Sequence, residues 1–160
     1  MNKQEIHRCL VDQACKELES ITISAKSSFS TATSDQHRAE GKYDTFKLES
    51  SFLSRGLARR VAELTTAMEA LQGIPLPDLN QTSPVQIGAL VRLKCADGKP
   101  VVLLLGTAAS GESISVSGEE ISVVNCSSPL GQAVLNKRVG DTFEIKTGKA
   151  THSFTVQTVE

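Results

Sequence analysis

The sequence predicts an α+β protein, an N-terminal antiparallel coiled-coil hairpin followed by a small antiparallel sheet domain with one short helix. Three observations predict it. Glycine and proline are segregated: residues 1–72 hold two Gly and no Pro, whereas residues 73–160 hold nine Gly and all five Pro. Both residue types interrupt helices, so long helix is confined to the first part. Apolar residues recur at steps of three and four through that part. In the second part, short runs rich in Val, Ile, Thr and Phe are separated by Gly or Asp-Gly.

The first predicted helix covers about residues 5–30. Ile6, Leu10, Ala14, Leu18, Ile21 and Ala25 form its apolar stripe. The second covers about 43–72, where Leu57, Val61, Leu64, Met68 and Leu71 step 4-3-4-3, the pattern of a coiled-coil seam. At 1.5 Å per residue this helix spans about 45 Å. The run "SAKSSFSTATS", Ser24 to Ser34, is rich in Ser and Thr, which lowers helix propensity and favours fraying at that end. Gly56 interrupts the second helix at a cost of about 1 kcal/mol relative to Ala, which points to close packing or a bend. The segment "GIPLPDLNQTSP" then reads as a connection. The expected organisation is a hairpin over 1–74, a linker over 75–84 and a sheet domain over 85–160.

Six strands follow: "GALVRLKC", "PVVLLLG", "SISVSG", "EISVVNC", "DTFEIKTG" and "HSFTVQTV". Asp97-Gly98 predicts a hairpin between the first two. One helix interrupts the series in "SSPLGQAVLNKRVGD": Ser128 is a natural N-cap, Pro129 suits the first helical position, and Leu130, Ala133 and Val134 share an apolar face. Gly140-Asp141 turns the chain into the next strand.

Bulk properties exclude several classes of function. A formal net charge of −1 gives no global field for binding naked nucleic acid. Residues 1–79 carry 10 basic and 11 acidic side chains and residues 80–160 carry seven of each, so any electrostatic function is local. The four cysteines, Cys9, Cys15, Cys95 and Cys126, lack zinc-site spacing. No apolar leader or membrane-length run is present, and a soluble cytoplasmic protein with reduced thiols is expected.

Charge concentrates between the two helices. "SDQHRAEGKYDT", Ser34 to Thr45, holds three carboxylates (Asp35, Glu40, Asp44) with His37, Arg38 and Lys42. A turn needs far less charge than this. Further along, Arg55 and Arg59 lie one helical turn apart with Arg60 adjacent, a spacing suited to bidentate contact with phosphate or to a solvated face. Lys137 and Arg138 favour the dipole at the end of the short helix.

The order of hairpin, linker and sheet domain, together with "SSPLGQAVLNKRVGDTFEIKTGKATHSFTVQTVE", resembles the Gre-type transcription elongation factors of bacterial RNA polymerase. The matching motif runs through Ser128, Pro129, Gly131, Ala133, Val134, Leu135, Lys137, Gly140 and Asp141. The resemblance implies an FKBP-like C-terminal domain that docks at the rim of the polymerase secondary channel. It implies a hairpin whose tip approaches the polymerase active site, with a basic patch facing nascent RNA. In cleavage-promoting members the tip carries Asp-x-x-Glu-Asn, and its carboxylates help hold a second Mg²⁺ while the polymerase hydrolyses a backtracked transcript.

Setting Glu40 at the Glu of that motif places His37 at the Asp position and Gly41 at the Asn position, and Glu49 then matches a family Glu without a gap. The resemblance thus implies Glu40 as the residue that meets the shared Mg²⁺, with Asp44 and Asp35 as secondary carboxylates. It implies Arg55, Arg59 and Arg60 as the nucleic-acid contacts. No metal or cofactor is expected on the chain alone, and a monomer is expected. Two versions stay open, a factor that promotes cleavage and one that occupies the channel without cleavage. Two other classes compete. A peptidyl-prolyl isomerase needs an aromatic-lined pocket, but Phe143 and Phe154 are the only aromatics in residues 80–160. A coiled-coil interaction protein unrelated to transcription would dimerise through the seam instead of folding back.

Overall fold

The computed structural model describes residues 2–33, 44–107, 112–116, 118–148 and 150–160. Helix α1 runs Lys3–Thr33 and α2 runs Asp44–Gln72. α1 continues through the Ser/Thr-rich run, where hydroxyls bond back to carbonyls of the helix and Ser30 Oγ donates to Ser27 O at 2.8 Å. Thr22 Oγ1 donates to Leu18 O at 2.7 Å and Ser24 Oγ to Ser20 O at 3.1 Å. The strands are β1 Leu90–Cys95, β2 Pro100–Gly106, β3 Ser113–Val116, β4 Glu119–Asn125, β5 Thr142–Thr147 and β6 Ala150–Val159, with α3 over Pro129–Val134. The fold is α+β, as the sequence predicts.

By its internal contacts the chain divides into two compact units, residues 1–11 with 69–160, and residues 12–68. In the helical unit, Leu64 is buried and Ala14, Leu18, Ile21, Ala25, Leu57, Val61 and Met68 are half-buried, so the predicted seam residues face inward. Cys15 Sγ lies 3.4 Å from Met68 Sδ across it. A Cβ built at Gly56 meets nothing within 4 Å. The close packing expected at Gly56 is therefore not what keeps a glycine there.

In the other unit, six strands form one sheet in the order β3-β4-β2-β1-β6-β5. All pairings are antiparallel except β2 with β4, which run parallel. The parallel pair arises because β3 forms its hairpin on the outer side of β4, so the chain reverses twice before β4 meets β2. The β1–β2 hairpin is closed at Asp97-Gly98: Gly98 N donates to Cys95 O at 2.9 Å, and Gly98 takes φ +85°, which a side chain disfavours. The Lys99 amide bonds the Asp97 carboxylate at 3.0 Å and holds it below the usual carboxylate range.

Strand alternation divides the sheet residues between two apolar faces. One carries Val91, Leu93, Leu103, Leu105, Phe143, Val156 and Val159, packed with Val85, Ala89 and Val134 of α3. The other carries Leu90, Val102, Leu104, Ile114, Ile121 and Val123, all buried. Ile6, Leu10, Leu71 and Ile74 are buried in this same unit. Its connecting segment is anchored: Lys3 Nζ donates to Pro77 O at 2.5 Å, His7 Nε2 lies 2.7 Å from Leu71 O, and Val85 N donates to Lys137 O at 2.8 Å. Burial pushes the Lys3 ammonium below its ordinary pKa, against the opposing pull of Asp78 and Glu160.

Candidate functional site

Two regions carry the residues singled out above, the α3 motif of the sheet unit and the arginine face of α2. The α3 motif is built around Asn125. Ser127 N donates to Asn125 Oδ1 at 2.8 Å, Ser128 N to Asn125 O at 2.9 Å and Ser128 Oγ to Asn125 O at 2.7 Å. Ser128 is the N-cap, accepting from Gly131 N at 3.1 Å, and Pro129 opens the helix where its missing N–H is not needed. Gly131 lies so close to the preceding turn that a Cβ would fall 2.1 Å from Asn125 O.

Beyond the helix, Asn136 takes φ 64° and Gly140 φ 92°. Asp141 closes the next turn: Arg138 N donates to Asp141 Oδ2 at 2.8 Å, and Asp141 N donates back to Arg138 O at 3.0 Å. Arg138 Nη1 also donates to Thr82 O at 2.7 Å, so this arginine has a structural partner. Phe143 and Phe154 stack with ring centroids 5.6 Å apart, Phe143 buried and Phe154 packed against the core. Both aromatics of residues 80–160 thus pack with the core.

On α2, the predicted cationic face is present but occupied. Arg59 Nε donates to Glu63 Oε1 at 2.9 Å, and Arg60 Nη2 donates to Glu17 Oε1 of α1 at 3.1 Å. A looser Arg60–Glu63 contact spans 3.9 Å. Each of these pairs is about half or more exposed on both sides, a setting in which ion pairs contribute about 0–1 kcal/mol. Such pairs exchange readily for another anion. Arg55 instead places its guanidinium 5.9 Å from the ring centroid of Phe52. Phe52 is 60% exposed and Leu53 56%. Sequence spacing does not single out Phe52 or the carboxylate Glu17. The Arg59–Glu63 step of four is visible in the sequence, whereas Arg60–Glu17 bridges 43 positions.

The sheet unit holds a second charge pair that the sequence does not announce. Arg92 on β1 makes a two-point contact with Glu119 at the start of β4, at 2.5 and 2.7 Å. The hydrogen bonds hold Glu119 below the usual glutamate range and raise Arg92 further. A cleft of about 140 Å³ beside the pair is lined by Leu90, Val102, Thr158 and Glu160. Arg92 reaches over β2, which lies between β1 and β4, and so ties three strands together.

Of the tip residues, Asp35, His37, Glu40 and Gly41 lie outside the described residues, as do the side chains of Asp44, where α2 begins, and Glu49. Among the described residues no group of three His, Cys, Asp or Glu side chains is placed to hold a metal ion, and no helix is long and apolar enough to cross a membrane.

Comparison with known proteins gives a family-model match, "Transcription elongation factor, GreA/GreB, C-term", over residues 80–160. No curated protein matches the chain. Among solved structures, one of the transcription factor Gfh1 is 18% identical, with a TM-score of 0.42 over 94% of this chain and 92% of that one. The GreA factor homolog 1 (Gfh1) protein of Thermus thermophilus is 17% identical, with a TM-score of 0.38 over 94% of each chain. A GreA/GreB elongation factor from Nitrosomonas europaea is 21% identical, with a TM-score of 0.35 over 60% of this chain and 78% of that one. The match over 80–160 spans half of the chain, and the structural overlays, all below a TM-score of 0.5, add no weight to it.

Proposed function

We propose that this chain, which belongs to the GreA/GreB family of transcription elongation factors, binds RNA polymerase at its secondary channel and directs the 34–43 segment toward the polymerase active site. The observation that carries this reading is the family match over 80–160, joined in one chain to two long helices, α1 and α2. On this reading the chain has no active site of its own and acts through the polymerase. It works in the cytoplasm as a monomer, with nascent RNA as its second partner.

The donor chemistry limits what the tip does. Mg²⁺ takes near-octahedral oxygen ligands, and one carboxylate does not make a site. Glu40 supplies a hard oxygen that suits Mg²⁺ only where the polymerase holds the remaining ligands, with Asp44 and Asp35 as further candidates. In that setting the metal supplies the polarisation and activated water that phosphodiester hydrolysis requires. The arginines of α2 act on the transcript: exposed guanidinium groups now paired with Glu17 and Glu63 exchange those carboxylates for phosphate oxygens.

A second reading, channel occupation without cleavage, is favoured by one observation. His37 and Gly41 stand where cleavage-promoting members carry Asp and Asn. The deciding experiment is transcript cleavage in stalled, backtracked complexes of the cognate polymerase, with wild type and Glu40→Ala. Shortened RNA that is lost in the variant makes Glu40 the metal-completing residue. No shortening, with competition against an authentic cleavage factor, establishes the second reading. Absence of both effects refutes binding at the channel.

A further inference from the structure

We infer that Phe52 and Arg55 form a stacking platform for a base of single-stranded RNA, with Arg59 as the adjoining phosphate contact. The inference rests on the reading above, that α2 meets the transcript, and names the residues that meet it. Phe52 belongs to a residue type usually buried, yet its side chain is 60% exposed on a regular helix. One turn on, the Arg55 guanidinium lies 5.9 Å from the ring centroid, within cation–π reach. A further turn on, Arg59 is 83% exposed and bound to the exposed carboxylate of Glu63. An aromatic ring flanked by arginines one and two turns away matches what single-stranded nucleic acid requires, because every base has a π-face and every linkage carries a phosphate.

The charge distribution selects RNA over other occupants of this exposed patch. A second copy packed face to face would set the Arg55 guanidinium, whose contact is the Phe52 ring, against its own counterpart. An apolar protein surface covering Phe52 and Leu53 would strip water from Arg55 without returning a counter-charge. Single-stranded RNA meets the ring and the cations at once. Phe52 lies eight residues into α2, about 12 Å along its axis from Asp44. RNA held there would lie within a few nucleotides of the segment that precedes α2.

The chain has no Trp, so a full-length F52W variant carries its single tryptophan at position 52, excited selectively over Tyr43 at the long-wavelength edge of indole absorption. Titration with decaadenylate should quench its emission saturably, with affinity falling as salt rises because phosphate contacts release counterions. Adding Arg55→Ala should weaken binding roughly tenfold. In a wild-type background, Phe52→Tyr should keep RNA binding and Phe52→Leu should lose it. Absence of quenching, or quenching indifferent to salt and to Arg55→Ala, overturns the platform. Full binding by Phe52→Leu, or concentration-dependent self-association lost in Phe52→Ala, overturns it in favour of a plain apolar contact. The titration contains no polymerase, so it fails only if the platform fails. A parallel binding assay with polymerase lacking extruded RNA should show wild type and Phe52→Ala equal; loss of binding by wild type there refutes the channel reading, while intact quenching still supports the platform.

Discussion

Replacing Gly131 by Ala tests the packing of α3 against the turn that precedes it, and the sign of the effect decides the matter. Intrinsic propensity favours Ala over Gly by about 1 kcal/mol inside a helix. If α3 were a free helical turn, the substitution would stabilise. The structure predicts the reverse. The new Cβ would lie 2.1 Å from Asn125 O, 2.8 Å from Cys126 Cα and 2.9 Å from Asn125 C. All three are backbone atoms, and unstrained carbon contacts sit at about 3.5 Å or beyond.

Neither partner yields easily. Asn125 O accepts from both Ser128 N and Ser128 Oγ, Cys126 N donates to Gly106 O at 2.8 Å, and Val134 is fully buried. Overpacking costs about 1–3 kcal/mol, and a strained or lost hydrogen bond adds about 1 kcal/mol. Less the propensity gain, the net loss is about 2 kcal/mol. With a urea slope of about 2 kcal/mol/M the midpoint falls by roughly 1 M. The assay is urea unfolding followed by circular dichroism, with hydrogen exchange of β2 and β4 amides to report on this unit. An unchanged or raised midpoint refutes the close approach.

Two further outcomes follow from the structure. Gly56→Ala, where a Cβ meets nothing within 4 Å, should raise stability by about 0.5–1 kcal/mol in thermal unfolding; a loss would mean that Gly56 serves a bend or a contact with a partner. Glu119 is held below its ordinary value of 4.5 by Arg92, so its contribution is full above pH 4.5 and disappears as pH falls through the lower folded value. The stability gap between wild type and Glu119→Gln should therefore be open at pH 7 and narrow by pH 3 in urea titrations, and parallel pH curves would show the pair to be inert.

Much of this fold is legible from local pattern. The three-four stepping of Leu57, Val61, Leu64, Met68 and Leu71 announces α2, and Ser128-Pro129 announces the start of α3, because caps and periodicity are short-range effects. Strand order is not short-range. Nothing in "SISVSG" or "EISVVNC" says that β3 lies outside β4 and leaves β4 parallel to β2. The same limit hides Arg92–Glu119, whose partners are 27 residues apart, and Arg60–Glu17. Phe52 escapes notice for another reason: pattern reading assigns an apolar helical residue to the core, and only the fold reveals that this one stays outside.

The residues on which the sequence resemblance rests are explained by folding physics without appeal to activity. Ser128 caps, Pro129 occupies a position with no hydrogen bond to lose, Gly131 admits a backbone at contact distance, Gly140 adopts a positive φ, and Asp141 accepts within its own turn. Each constraint is satisfied inside the chain, so this motif marks a scaffold and is silent about chemistry. Glu40 is the opposite case. Glu40 lies outside the described residues, and on the proposed reading its chemistry is complete only with ligands from another molecule. Members of one family can therefore share the α3 motif yet differ in activity through the segment between α1 and α2. On the proposed reading, that segment holds Glu40 at the tip with His37 and Gly41 beside it, so the cleavage assay on Glu40→Ala tests the segment's chemistry directly.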